Sequence, residues 1–415
     1  MPNRFDRPDR VRRKLTGVLF GGVGLTSTGF IAAITVAGLA AEDLTGSSSL
    51  AGIPAAASTI GTALGSAVLA AVTVRLGRRS VLIGAYVLAG TAAAVAAAAI
   101  GSASFALLIF AMFALGFGNS ASHLTRYAAA DLHQPSRRTA AIGWIVWAST
   151  VGSVAGPNLL GVSADAAEGA GLAAFAGPYL VAAIAFLSAA VFYVIFLRPD
   201  PLRMVVSTDE EFTAPALPLA TLLARPRVQV AVVSMVTSHF VMVLIMAMTP
   251  IFLRNGGAKL GIVGIVISAH TLGMFALSPI TGILGDRFGR PQVAAAGMVI
   301  VLVSVTLAGL APADATATLI LALFLLGLGW NFAFIGGSAI LTEGLAIDER
   351  LRLQGAVDAS VWLSGAGASL SSGFILAIAG YPILNALGAA LLVAPAAVFL
   401  RHRNVFARTP AATLP

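Results

Sequence analysis

The chain has 415 residues, 58% of them hydrophobic and only 10% charged. A soluble domain carries about a quarter charged residues, so this chain cannot cover a water-facing surface, and lipid must be its solvent. The +8 net charge does not point to nucleic acid, because the basic residues sit in short loops between apolar runs. The absence of cysteine excludes disulfides, thiolate catalysis and cysteine metal sites.

Apolar stretches of about twenty residues, the length a bilayer core of ~30 Å requires, recur along the whole chain. In order they predict spans near 15–41, 51–74, 80–100, 105–130, 139–163 and 178–197. A second set lies near 229–253, 262–284, 292–310, 317–342, 353–378 and 383–400. The opening MPNRFDRPDRVRRK leads into the first run with no small-residue cleavage site at signal-peptide length, which reads as a retained span. Residues 198–228 are the longest polar stretch and contain several prolines, the composition of a linker. The expected fold is therefore an all-α polytopic membrane protein of twelve transmembrane helices. It divides into a six-helix bundle (1–197), a linker (198–228) and a second six-helix bundle (229–415) around a central cavity.

Of the 25 Lys and Arg residues, 22 fall in alternate loops counted from the N-terminus. The opposite loops hold only Arg254 and Lys259, and Arg126 lies inside a span. This asymmetry places both termini and the linker in the cytoplasm, with the chain in a bacterial-type inner membrane. The halves also echo each other. LGFGNSASHLTRYAAAD near 115 matches LGLGWNFAFIGGSAILTEG near 326, and VRLGRR around Gly77 matches DRFGR around Gly289. The two matches agree on one duplication, and paired repeats of this size are a transporter architecture.

Gly282-Ile283-Leu284-Gly285-Asp286-Arg287-Phe288-Gly289-Arg290 resembles the loop signature of the major facilitator superfamily, G-x-L-x-D-R-x-G-R. Its glycines permit a tight turn. Asp286 is expected to take the N-terminus of a neighbouring helix, and Arg287 and Arg290 to anchor at the headgroups. The plainer reading is a positively charged topological turn. In the first half the same loop has Ala70 and Val74 where the glycine and the aspartate belong, which puts a charge latch there in doubt. Gly152-x-x-x-Gly156-Pro157-x-x-x-Gly161 is similar to the span-five signature of the superfamily's twelve-helix drug:proton antiporters. Gly/Pro packing in a membrane helix is the alternative. The position of the family's span-four arginine is Met112 here. The resemblance implies alternating-access transport of a small, amphipathic molecule, proton-coupled efflux first, with a proton-coupled importer or uniporter as the alternative. The partners it implies are the small-molecule substrate, protons and the bilayer, with the chain a monomer and no cofactor.

Ionisable groups at membrane depth are the sharpest candidates, since each is costly unless satisfied. His239 and His270 fall near the midplane of spans seven and eight, where they could bind substrate, take a proton or pack. Asp358 is about 9 Å from the loop end of its span at 1.5 Å per residue. It is the best-placed carboxylate for reversible protonation, unless it is a structural partner of Arg126 or a cap. Arg126 either snorkels to the interface or pairs with an acid. Asn119, His123, Trp147, Asn158, Met242, Trp330, Asn331 and Trp362 are candidates to line the cavity, with helix packing the alternative for each.

A membrane-embedded enzyme is disfavoured. There is no HExxH, no GxSxG with a partner set and no GxxxxGKS. A scaffold or receptor would need a larger soluble region than the linker. A single cysteine placed in 198–228 is expected to stay unlabelled by an impermeant thiol reagent applied outside intact cells; labelling there would reverse the topology.

Overall fold

A computed structural model describes residues 6–47, 50, 52–204, 217–257 and 260–406. The helices in chain order are α1 (Asp6–Thr45), α2 (Ile53–Gly101), α3 (Phe105–Asp131), α4 (Arg138–Gly169) and α5 (Ala176–Phe196). There follow α6 (Leu219–Leu223), α7 (Pro226–Met246), α8 (Thr249–Asn255), α9 (Leu260–Phe275) and α10 (Ser278–Phe288). The last are α11 (Arg290–Leu310), α12 (Thr316–Ile340), α13 (Ile347–Leu391) and α14 (Val393–Arg401). No strand occurs among the described residues.

Among those residues, ten segments are long and apolar enough to cross a bilayer. Two of them are of double length. At 1.5 Å per residue the 49 residues of α2 reach about 73 Å, more than twice the hydrocarbon core. α2 is broken at Gly77 (φ 79°, ψ 165°), and α13 at Gly380 (φ 77°, ψ 173°). These are backbone conformations that favour glycine. Each long segment therefore supplies two crossings, which restores the twelve expected. The repeat of Gly77 is Gly289, where the chain is broken outright between α10 and α11.

Two compact units emerge, and they do not follow the chain as the expected division at 198–228 does. The first comprises Met1–Gln134, Trp144–Ala216 and Ala346–Ala366; the second comprises Pro135–Gly143, Leu217–Leu345 and Gly367–Pro415. The start of α4 thus packs within the second unit and the start of α13 within the first. Small residues are the reason. A Cβ on Gly143 would lie 2.3 Å from the Ser278 carbonyl oxygen, and one on Gly355 would lie 2.5 Å from the Ala70 Cβ.

In the first unit α2 packs on α3 and α5, and α1 packs on α5. In the second, α12 packs on α7, α9 and α11. With no hydrophobic drive between helices in lipid, close approach of small residues holds such contacts. A Cβ on Gly116 would meet the Ser58 carbonyl oxygen at 1.9 Å, and its repeat, Gly327, would meet that of His270 at 2.2 Å. Gly116→Val is expected to cost about 1–3 kcal/mol through overpacking, read as a lower thermal midpoint of purified protein. Gly84→Ala, with nothing within 4 Å, is the control and should leave the midpoint unchanged.

Candidate functional site

The close approach of α2 carries the last turns of α3 into the first unit, where every residue from Leu124 to Asp131 is buried. Arg126 is 2% exposed. Its Nη2 donates to Asp358 Oδ1 at 2.6 Å and to the Tyr127 hydroxyl at 2.9 Å, and its Nη1 donates to the His123 carbonyl. The Tyr127 hydroxyl donates to the same Oδ1 at 3.2 Å. Asp358 is 1% exposed, and its Oδ2 accepts no hydrogen bond among the described residues. Beside the pair, the half-buried rings of His123 and Trp362 lie 4.5 Å apart at 46°. Arg126 therefore does not snorkel. The aspartate holds it inside, because a buried guanidinium stays only where a counter-charge meets it.

His239 and His270 are not brought together. His239 Nδ1 accepts from Trp330 Nε1 at 3.1 Å, and Trp330 stacks on Phe334 with centroids 4.6 Å apart. His270 Nδ1 donates to the Leu323 carbonyl at 3.0 Å. His270 also lines a crevice with Met246, Thr249, Pro250 and Leu323 that leaves no room for a water-sized molecule. Asn331 donates to the Met274 carbonyl and Ser278 Oγ and accepts from Thr281 Oγ1, each at 2.6 Å. Asn331, Trp330, Met242 and Asn119 are all buried. Asn158 is exposed and donates to Val154 in its own helix. Trp147 stacks on Phe20. Gly152 and Gly156 pack α4 against α1, where a Cβ on either would meet Ser27 or Ile31 within 3 Å. Pro157 lies inside α4 without ending it.

The loop signature is a cap in the second unit. Asp286 Oδ1 and Oδ2 accept from the backbone amides of Thr139 (3.1 Å) and Ala140 (2.8 Å) at the start of α4, where amides lack helical partners. Gly282 makes room, since a Cβ there would lie 2.6 Å from the Thr139 carbonyl oxygen. Arg287 is exposed, as a headgroup anchor requires. Arg290 is not; it is 6% exposed and bonds Thr139 Oγ1, the Pro135 carbonyl and Glu343. Its expected headgroup role gives way because Glu343 supplies a charge within the protein.

The degraded loop of the first unit is nonetheless pinned. Arg78 Nη2 meets Asp131 Oδ2 at 2.8 Å, and Arg350 Nη2, at the start of α13, meets Asp131 Oδ1 at 3.1 Å. Two cations on one carboxylate stand where Val74 leaves no cap. Sequence reading missed Asp131, Glu343, Arg350 and Tyr127. The signal for the first two was present, as Asp131 in YAAAD and Glu343 in ILTEG fall within one position of each other in the repeat. Among the described residues no group of three or more His, Asp or Glu is placed to hold a metal ion.

Twelve apolar crossings in two repeats, loop clusters that grip helix starts and one deep ion pair are the parts of a secondary transporter rather than an enzyme. The family model of the Major Facilitator Superfamily matches residues 19–261 and 236–413, and the chain belongs to that superfamily. Two relatives from Bacillus subtilis (strain 168), the MFS-type transporters YddS and YdeG, are each 36% identical over 393 residues. The matches cover 93% of this chain and 89% and 90% of theirs. The riboflavin transporter RfnT of Brucella anthropi is 30% identical over 311 residues, 75% of this chain and 76% of its own. The same fold is found in the human organic anion transporter MFSD10 (TM-score 0.73, 18% identity, covering 93% of this chain and 99% of that one). A bacterial homologue of the iron transporter ferroportin, in an outward-facing state, also scores 0.73, at 16% identity over 94% of this chain and 99% of its own.

The two loop clusters differ in what each loses when a charge is removed. Asp131→Asn leaves two buried arginines facing each other and is expected to cost ~3–5 kcal/mol. Asp286→Asn weakens a helix cap and should cost ~0.3–2 kcal/mol, while slowing transport. Thermal unfolding of the two purified variants checks the order, and an equal loss in both would show the ion triad to be no stronger than the cap.

Proposed function

We propose that this chain is a proton-coupled transporter of a small, amphipathic molecule, with Asp358 taking up and giving back the proton. One contrast carries the reading. Asp286 and Glu343 each have both carboxylate oxygens hydrogen-bonded, and Asp131 has an arginine against each oxygen although its Oδ1 accepts no hydrogen bond, whereas Asp358 has Arg126 and Tyr127 on one oxygen and no hydrogen bond on the other. Oδ2 is thus an open seat for a proton. Protonation there turns a neutral buried pair into a net positive charge, a change large enough to bias one conformation over another. The imidazoles suit the task less well. A proton on His239 Nδ1 would set two donors, the ring N–H and the indole N–H, against each other.

The basic-residue asymmetry supports a cytoplasmic position for both termini, in an inner membrane. Export in exchange for protons is supported by the Gly152–Gly156–Pro157 pattern and its packing on α1. Uptake together with protons is the second reading. Kinship to a riboflavin transporter makes flat heteroaromatic molecules the first cargoes to try. A thermal-shift screen that includes riboflavin identifies a binder, because ligand held by the folded state raises its midpoint. In proteoliposomes with that binder, Asp358→Asn is expected to abolish pH-gradient-driven flux and still bind. His239→Gln and His270→Gln should keep proton movement and weaken binding. Normal proton flux in Asp358→Asn would leave the carboxylate a structural group.

A further inference from the structure

The crossing at Ile262–Phe288 is made of two helices, α9 and α10, with a break at Ala276 and Leu277 between them. Pro279 starts the break, since it has no N–H for the Phe275 carbonyl and its ring clashes with the preceding turn. More than one bond is lost. The amides of Ala276 and Thr281 donate to Leu272 and Leu277, and among the described residues no backbone bond runs from 277–280 to the helix before them. Inside a membrane, groups freed in this way are met by neighbouring side chains. Asn331 of α12, fully buried, does so on both sides at once. It donates to the Met274 carbonyl on α9 and to Ser278 Oγ on α10, and accepts from Thr281 Oγ1 on α10. The first half lacks this arrangement. At the repeat positions of Pro279 and Asn331 stand Ala67 and Ser120. There α2 is helical up to its break at Gly77, and Ser120 bonds the Phe117 carbonyl of its own helix.

The two half-helices are also held by different neighbours. α9 is seated on α12, where a Cβ on Gly273 would meet the Phe324 carbonyl oxygen at 2.1 Å and His270 bonds the Leu323 carbonyl. α10 is fastened to the start of α4 by the Asp286 cap and by the close approaches at Gly143 and Gly282. It also packs on α12, where Asn331 holds its two hydroxyls. We propose that this crossing works as two half-helices on a hinge at 275–277. α10, carrying the start of α4, swings against α9 and α12, and Asn331 is the latch that closes it. Swinging breaks the bonds to Ser278 and Thr281, while the bond to Met274 stays with α9. The hydroxyls are not stranded, because each can turn to a carbonyl of the preceding turn, as Thr281 Oγ1 already does towards Leu277 at 3.3 Å. Hinges are a few element-terminal residues that absorb the backbone change, and 275–277 are such residues. The moving element then lies in the half that keeps the loop signature. It is independent of which group takes the proton, so it does not rest on Asp358.

The chain has no cysteine, so a single introduced thiol can report on the hinge. Ile335 lies one turn beyond Asn331 on the same face of α12 and is fully buried, and Leu323, at the contact with α9, is 1% exposed. Ile335→Cys and Leu323→Cys are placed separately in the full chain, and labelling by the membrane-permeant N-ethylmaleimide is timed in proteoliposomes. Adding Asn331→Ala is expected to speed labelling of Ile335→Cys on the order of tenfold, the effect of losing one or two hydrogen bonds. Labelling of Leu323→Cys should not change. Pro279→Ala returns an amide to the break and should slow labelling of Ile335→Cys without lowering the thermal midpoint. No acceleration of Ile335→Cys by Asn331→Ala, or equal acceleration of both reporters, overturns the latch and makes Asn331 a packing residue. In a Pro279→Ala protein of unchanged midpoint, labelling as fast as before overturns the hinge. Where that midpoint falls, the ratio between the two reporters in Asn331→Ala decides.

Discussion

Water is absent from the bilayer core and from the packed protein interior, so an ionised side chain persists in either only against an opposite charge or a full set of hydrogen bonds. Arg78, Arg126, Arg290 and Arg350 are all at most 6% exposed, and each meets a carboxylate. These contacts join segments far apart in the chain: Arg126 to Asp358, Arg78 and Arg350 to Asp131, Arg290 to Glu343. Glycines at the crossings set how near the helices come. The ions then select a register, because a lone buried charge costs several kcal/mol and any slip would create one.

The repeat shows how the same demand is met with different residues. Asp131 and Glu343 correspond to within one position, Arg78 and Arg290 are equivalent, and so are Arg138 and Arg350 at the starts of α4 and α13. Only the second unit keeps the capping carboxylate, Asp286, and there Arg138 turns to the Thr342 carbonyl. In the first unit Val74 offers nothing to the amides of α13, and Arg350 goes to Asp131 instead. One helix start is gripped by a carboxylate on its amides, the other by an ion triad. The first grip weakens with a helix dipole's short reach; the second holds until a charge is removed or neutralised.

The sequence was legible wherever a one-dimensional pattern maps directly onto physics. Apolar run length gave the twelve crossings, and the Gly77 and Gly289 repeat marked the same break in both halves. The intact loop signature placed Asp286 at a helix N-terminus. Pairings across 53 to 232 positions were not legible in the same way. No spacing rule links Asp358 to Arg126, and both readings of Arg126 were consistent with its position in the span. Burial was also hard to read. Asn331 and Trp330 have the chemistry of a cavity lining, yet their hydrogen bonds are taken up by α7, α9 and α10. Arg290 looked like a headgroup anchor because its counter-charge, Glu343, lies 53 residues away.

A purely structural carboxylate is built to be complete, and that standard separates Asp358 from Asp286 and Glu343, with Asp131 between them because its Oδ1 meets Arg350 without a hydrogen bond. Asp131 has a cation on each oxygen, Glu343 has Arg290 on one and Arg227 on the other, and Asp286 has one amide on each. All are arrangements in which a proton would displace an existing partner. At Asp358 the guanidinium and the phenol crowd a single oxygen, and the second is buried with no donor. Leaving a buried acceptor unmade costs about 1–3 kcal/mol, and a helix-packing pair would gain nothing from that cost. On the proposed reading of Asp358 as the proton site a transporter does gain, because the same imbalance lowers the penalty of adding a proton. Tyr127 adds to this, since its hydroxyl accepts from Arg126 while donating to Asp358. Under the proposed protonation, Tyr127 would keep its hold on the guanidinium when the carboxyl becomes neutral.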